Sequence, residues 1–214
     1  MLKIDKIYNM DCLQGMNQIE NKSIDFILTS PPFKDEDIEG DYWLFYDKFM
    51  NQMERITKEY AFIFQSSTKM WEMCHRYRKP FHIFMWIKPE YMGKNHRYEP
   101  IFVYSFDSTT FKWRNMGQDV YPYAVIKKER WHPYFNPLNL YIAILKNIPE
   151  GKIILDPFMG SGTTALACRR SNKHFIGFEI NKEYYQKSIK RLNNSELPLK
   201  IDMEVNNDKI YKET

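Results

Sequence analysis

Thr29-Ser30-Pro31-Pro32-Phe33 and the nine-residue turn Asp156 to Thr164, DPFMGSGTT, hold the residue types in this chain best suited to gripping a small molecule and reacting it. Two successive prolines fix the backbone and remove two N–H donors, leaving carbonyls that point outward as rigid acceptors. Ser30 adds a hydroxyl beside them, and Phe33 offers a ring face. Acceptors next to a stacking ring suit a flipped-out nucleobase, whose exocyclic amino group donates hydrogen bonds while its face lies on the aromatic. A Pro-Pro strand terminator with an incidental Phe is the competing explanation, and the pentapeptide alone does not separate the two.

The turn at Asp156 follows Ile153, Ile154 and Leu155 and precedes the helix-favouring stretch Ala165 to Arg170. Strand, glycine turn and helix in that order form the unit on which nucleotide-like cofactors are held. Gly160 and Gly162 let the backbone approach a ligand where a Cβ would clash, and the helix start offers free N–H groups. The same pattern also serves packing alone. Glu179 lies a helix and a strand further on, where a carboxylate at the next strand tip can accept from both ribose hydroxyls. The turn lacks the third glycine of the dinucleotide fingerprint, and no GK[ST] follows it. A cofactor with a nucleoside but no pyrophosphate fits better.

The elements that must position these residues follow from hydrophobic spacing. Strands are expected at Lys3–Tyr8, Ser23–Leu28, Tyr60–Phe64, Phe81–Ile87, Tyr98–Phe106, Ile153–Leu155 and His174–Phe178. Helices are expected at Asp11–Ile19, Tyr42–Thr57, Lys69–Tyr77, Pro137–Asn147, Thr163–Ser171 and from Asn181, as cap, to about Leu192. Alternation of this kind means an α/β sheet covered on both faces, with ligands beyond the carboxyl ends of the strands. Trp43, Tyr46, Phe49, Met50 and Met53 form an aromatic stripe that reads as core. Between Asp107 and Trp131 periodicity disappears, and aromatics mix with Lys112, Arg114, Lys127, Lys128 and Arg130. That mixture suits a nucleic-acid-facing segment, with a plain surface loop as the alternative.

At 214 residues, 43% hydrophobic and 27% charged, the chain has the composition of one ordinary soluble domain. A net charge of +4 tolerates a polyanionic partner without demanding one. Cys12, Cys74 and Cys168 show no CxxC or Cys/His spacing, and the five histidines show no zinc pattern. A reducing compartment and no metal are therefore expected. No signal peptide or membrane span is visible, so the expected location is cytoplasmic.

In this order the segments resemble the β-class S-adenosylmethionine-dependent DNA amino-methyltransferases, from about Tyr8 to Leu192. Asn9-Met10-Asp11-Cys12-Leu13 is similar to the segment contacting the cofactor adenine, and Ser23 to Phe33 to the catalytic motif. Trp86-Ile87-Lys88-Pro89 and Arg97-Tyr98-Glu99-Pro100-Ile101 are similar to the central strands. His132-Pro133 with Asn136-Pro137-Leu138 is similar to the segment preceding the glycine turn and GFEIN. The resemblance implies a Rossmann-like class I methyltransferase sheet, α/β with helices on both faces and a circularly permuted motif order. It implies that residues 1–192 form one catalytic domain, followed by a polar tail at 193–214.

Carried over residue by residue, the resemblance implies that Ser30, Pro31, Pro32 and Phe33 hold the target base. Asp156, Phe158, Gly160, Gly162 and Thr163 would surround the methionine part of S-adenosylmethionine. Glu179 would bind ribose, Asp11 and Ile180 would border the adenine, and Asn136 would reach in from the opposite side. That family usually carries Gln-Lys where this chain has Phe135-Asn136. The implied reaction is methyl transfer to an exocyclic amino nitrogen in double-stranded DNA, in a restriction-modification setting. Ser30 at the first motif position is similar to the N4-cytosine enzymes, so cytosine is favoured, with N6-adenine as the alternative. An RNA methyltransferase or a non-catalytic subunit of a modification complex are further alternatives. Carbon-5 methylation is disfavoured, because the relevant thiolate sits on a Pro-Cys pair, and Cys12, Cys74 and Cys168 follow Asp11, Met73 and Ala167. With only residues 107–131, and the loop 34–41, free for sequence reading, a minimal recognition surface, a relaxed target and a supporting homodimer are expected.

Overall fold

The computed structural model describes residues 2–33, 38, 40–77, 79–89, 98–106, 119–124, 132 and 135–195. One eight-stranded sheet runs through them. Its order is β1 (Lys6–Tyr8), β8 (His174–Phe178), β7 (Ile153–Asp156), β2 (Ile24–Thr29), β3 (Thr57–Phe64), β5 (Tyr98–Ser105), β4 (His82–Ile87) and β6 (Val120–Pro122). Neighbours are parallel except where β5 runs antiparallel to β3 and to β4. Every residue of β2 is buried, and the strand ends at Thr29, where Pro31 and Pro32 cannot extend the ladder.

Both faces are covered, as the alternation of elements requires. On one, α1 (Cys12–Asn17), α2 (Tyr42–Ile56) and α3 (Met70–Arg76) pack through Met16, Tyr46, Phe49, Met53 and Met73. On the other, α4 (Leu138–Leu145), α5 (Thr163–Arg170) and α6 (Lys182–Asn194) pack through Leu140, Ile144, Leu166 and Leu192. The strands divide between them with a period of two: Ile101 and Val103 face the second layer, Phe102 and Tyr104 the first. Side chains cap three helices, Asp11 on Gln14 N–H, Asp41 on Leu44 N–H and Asn181 on Glu183 and Tyr184 N–H.

From β2 the chain passes through α2 to β3 on one side, and from β7 through α5 to β8 on the other. The crevice of such a sheet opens where the winding reverses, here between the tips of β2 and β7. The Phe26–Ile154 and Ile27–Leu155 register brings Thr29 beside Asp156.

Two features depart from the periodicity reading. Strand β3 begins at Thr57, directly on the end of α2, with no intervening turn. The Thr57 hydroxyl bonds the Met53 carbonyl at 2.6 Å, so one residue both closes the helix and starts the strand. Within the aperiodic stretch 107–131, Val120–Pro122 pairs with β4, and Tyr121 packs edge-on to Phe84 in the core rather than facing a ligand. Residues 107–118 and 125–131 of the expected recognition segment, most of the loop 34–41 and the tail beyond 195 lie outside the described residues. Among the described residues no helix is long and apolar enough to cross a membrane.

Candidate functional site

A cavity of about 500 Å³ opens over the tips of β2, β7 and β8, within the size range of small-molecule sites. Ser30, Pro31, Pro32 and Phe33 form one wall. Asp156, Phe158, Gly160 and Thr163 line it from the glycine turn, Glu179, Ile180 and Asp11 from the far end, and Asn136 from the segment just before α4. Gly162 is the exception among the thirteen site positions singled out in the sequence: it does not line the cavity. It sits in the left-handed region (φ 78°) at the start of α5, where a Cβ would lie 3.2 Å from Ser188 Cβ. Its place is to turn the chain and seat α5 on α6.

Asp156 joins the two motifs. Its Oδ1 accepts from Thr29 Oγ1 at 2.7 Å and from Phe158 N–H at 3.0 Å, and its Oδ2 accepts from Thr164 Oγ1. Burial pushes this carboxyl up to about 6, against those three hydrogen bonds, which hold it down. The residue expected against the cofactor's methionine part is therefore spent largely on bracing the pentapeptide against the turn.

Glu179 is fixed by backbone instead. Its Oε2 accepts from Gly160 N–H and its Oε1 from Asn181 N–H, both at 2.8 Å. Gly160 has φ 49°, and a Cβ there would lie 3.1 Å from the His132 ring, so only glycine lets the turn approach so closely. Each Glu179 oxygen keeps a second lone pair, which is what a vicinal diol needs. Ile180 is 71% exposed at the rim and offers an apolar surface for a flat ring.

Charge separates the ligand classes. The described lining residues include Asp11, Asp156 and Glu179 but no Lys or Arg. A pyrophosphate would meet no compensating cation there, whereas a nucleoside carrying positive charge is favoured. The donor set thus fits S-adenosylmethionine. Cys12 also lines the cavity, but burial, followed by Asp11, pushes its thiol up to about 12, so it remains neutral.

The pentapeptide wall is held by side chains. Tyr42 of α2 donates its hydroxyl to the Pro32 carbonyl at 3.1 Å. Gln65, fully buried just beyond β3, donates to Tyr42 Oη at 3.3 Å and to Tyr46 Oη at 2.7 Å. Asn136 donates to Tyr141 Oη at 2.9 Å, and the Tyr141 ring stacks on Phe64 with centroids 5.2 Å apart. Phe158 is gripped edge-on by Phe45 and Phe49, so part of the α2 aromatic stripe shapes the site as well as the core. Sequence reasoning missed Tyr42, Gln65 and Tyr141 as site residues. Their one signal, a polar or phenolic group at a buried position, emerges only once burial is known.

Comparison with known proteins identifies the family and the fold. The N6/N4 family model described as DNA methylase matches residues 24–190. The Type II methyltransferase M.HpaI of Haemophilus parainfluenzae is 45% identical over 67 residues, 31% of this chain and only 21% of that protein. The Type II methyltransferase M1.MboII of Moraxella bovis is 24% identical over 259 aligned positions, covering 92% of this chain and 100% of that protein. Among solved structures, the M1.HpyAVI–SAM complex superposes with a TM-score of 0.70 at 25% identity, covering 87% of this chain and 99% of its own. PvuII DNA methyltransferase (cytosine-N4-specific) gives 0.72 at 17% identity over 89% and 88% of the two chains, which speaks for the fold.

Proposed function

This chain belongs to the N6/N4 DNA methylase family, and on that premise we propose that it methylates the exocyclic amino nitrogen of a base flipped out of double-stranded DNA, using S-adenosylmethionine, with N4 of cytosine as the target. The observation that carries this reading is the Thr29–Asp156 hydrogen bond, which ties the pentapeptide and the glycine turn into one cavity. When bound, S-adenosylmethionine supplies a transferable methyl on a positively charged sulfur. Glu179 holds the ribose, Ile180 and Asp11 border the adenine, and Phe158, Gly160 and Thr163 enclose the methionine part, with Asn136 opposite.

An exocyclic amino lone pair is delocalised into the ring, so the nitrogen is a poor nucleophile until its geometry moves toward tetrahedral. Hydrogen bonds from the amino group to the Ser30 hydroxyl and the Pro31 carbonyl favour that geometry, stabilising the transition state more than the ground state. Phe33 stacks on the base, and the rigid Pro31-Pro32 backbone keeps the acceptors aligned. Ser30 is too weak a base to take a proton beforehand, so the proton leaves after transfer. The preference for cytosine rests on Ser30 at the first motif position.

A DNA substrate supports a cytoplasmic location, and similarity to Type II methyltransferases supports a restriction-modification setting. Residues 1–192 form the catalytic domain, the stretch 107–131 reads a short or relaxed site, and a homodimer enlarges the DNA-facing surface. Incubation of duplex DNA, single-stranded DNA and RNA with methyl-labelled cofactor, followed by mass spectrometry of the nucleosides, tests the reading. N4-methylcytosine in duplex DNA is expected. N6-methyladenine would overturn the base assignment, label in RNA alone the substrate, and no label anywhere the enzyme.

A further inference from the structure

Because β5 runs antiparallel to its neighbours, its first residues stand at the same edge of the sheet as the tips of β2 and β3. Glu99 is the second of them. Its Oε1 pairs with the Lys88 ammonium, which in turn lies over the Trp86 ring at 4.5 Å from the centroid. Both side chains are largely buried, at 13% and 16% exposure. Glu99 Oε2 is buried and has no hydrogen-bond partner among the described residues. A buried acceptor left bare is costly, and it calls for a group that arrives to fill it.

The sheet order says what would arrive. Glu179 follows β8, Asp156 ends β7, Ser30 follows β2, Gln65 follows β3 and Glu99 lies on β5. With the cofactor at the β8 end, a base whose amino nitrogen sits at Ser30 extends toward β3 and β5. Two strand spacings, roughly 10 Å, separate β2 from β5, a gap that a base ring and a Glu side chain span together. Phe64 at the tip of β3 stands opposite Ile101, and Glu99 is two residues nearer the edge on the same face. Tyr141, which lines the cavity and stacks on Phe64, lies close enough to Glu99 to have its phenol pKa raised by that carboxylate, after burial and Asp156.

We propose that the Lys88–Glu99 pair reads the edge of the flipped base: Glu99 Oε2 shares with the Ser30 hydroxyl the amino hydrogen on the ring-nitrogen side, the Pro31 carbonyl taking the other, and Lys88 donates to the adjacent ring nitrogen. Cytosine presents that order as N4–H and N3, adenine as N6–H and N1. Thymine and uracil present O4 and N3–H, the opposite polarity at both points. A hydroxyl such as that of Ser30 donates or accepts equally and cannot impose this choice, whereas an ammonium only donates and a carboxylate only accepts. The pair therefore admits amino bases and leaves the choice between the two to the shape of the pocket.

This inference rests on the methylation reading, and the test keeps the two apart. Wild type, Glu99→Gln and the double variant Lys88→Met with Glu99→Met are compared for thermal melting, for S-adenosylmethionine binding by calorimetry and for methyl transfer to genomic DNA from a methylase-deficient strain. Glu99→Gln is expected to bind the cofactor as wild type does and to transfer at least about tenfold more slowly. The double variant, freed of an unpaired buried charge, is expected to melt no lower than Glu99→Gln and still not to regain transfer. Wild-type transfer by either variant would show that the pair is structural and would overturn the proposal. Failure of the wild-type protein to bind the cofactor or to label any nucleic acid would instead overturn the methylation reading, and this inference with it.

Discussion

The cofactor half and the base half of the cavity are built by opposite means. Glu179 is held by the backbone N–H groups of Gly160 and Asn181, within a single strand-turn-helix-strand run. The pentapeptide is held by side chains from separate elements: Tyr42 on Pro32, Gln65 on Tyr42 and Tyr46, and Asp156 on Thr29. A backbone-built half has little to vary except its glycines and its one carboxylate. A half built from side chains can be retuned position by position, so its substitutions should alter turnover while leaving cofactor affinity in place.

Glu179→Ala should produce the largest effect. It removes the diol acceptor and strands the Gly160 N–H, and S-adenosylmethionine affinity measured by calorimetry should fall roughly 100-fold, as loss of hydrogen bonds to a charged group implies. Ser30→Ala should act on the other half alone, lowering kcat about tenfold with the cofactor dissociation constant unchanged. An affinity loss matching the turnover loss would erase the division between the halves. Tyr42→Phe deletes only the hydroxyl that bonds Pro32, worth about 1 kcal/mol, and steady-state kinetics should show a drop of about fivefold in kcat with little change in KM for the cofactor.

The pH dependence of stability tests the brace between the halves. The folded-state pKa of Asp156, about 6, stands above the usual 3.8. The folded protein therefore holds this proton more tightly than the unfolded chain does. That contribution to stability is complete below about pH 4 and is lost as pH rises through about 6. Chemical denaturation between pH 4 and 7 should show wild type losing up to about 3 kcal/mol across this window relative to Asp156→Asn. Parallel pH profiles for the two proteins would show that the carboxyl is not strained by burial.

The same division explains what could be read from the chain beforehand. Asn181 as a helix cap, Glu179 at the tip of β8 and the strand ending at Pro31-Pro32 all follow from neighbours in sequence. Each was legible for that reason. Thr29 and Asp156 lie 127 positions apart, and only the β2–β7 register brings them together. Asp156 consequently read as a cofactor contact, although its oxygens accept three protein hydrogen bonds. Gly162 read as a ligand approach because its type, not its direction, was visible. Gln65 carries no local signal, since a glutamine after a strand is ordinarily solvated and this one is fully buried. Strand β6 was too short, at three residues, to show a period.

The acidic lining has a consequence for the end of the catalytic cycle. Methyl loss turns a sulfonium into an uncharged thioether, so the spent cofactor leaves with one positive charge fewer than it brought. Asp11, Asp156 and Glu179, with no Lys or Arg among the described lining, favour the incoming form over the outgoing one. On the proposed reaction, charge favours fresh cofactor over used cofactor, and raised ionic strength should narrow that preference.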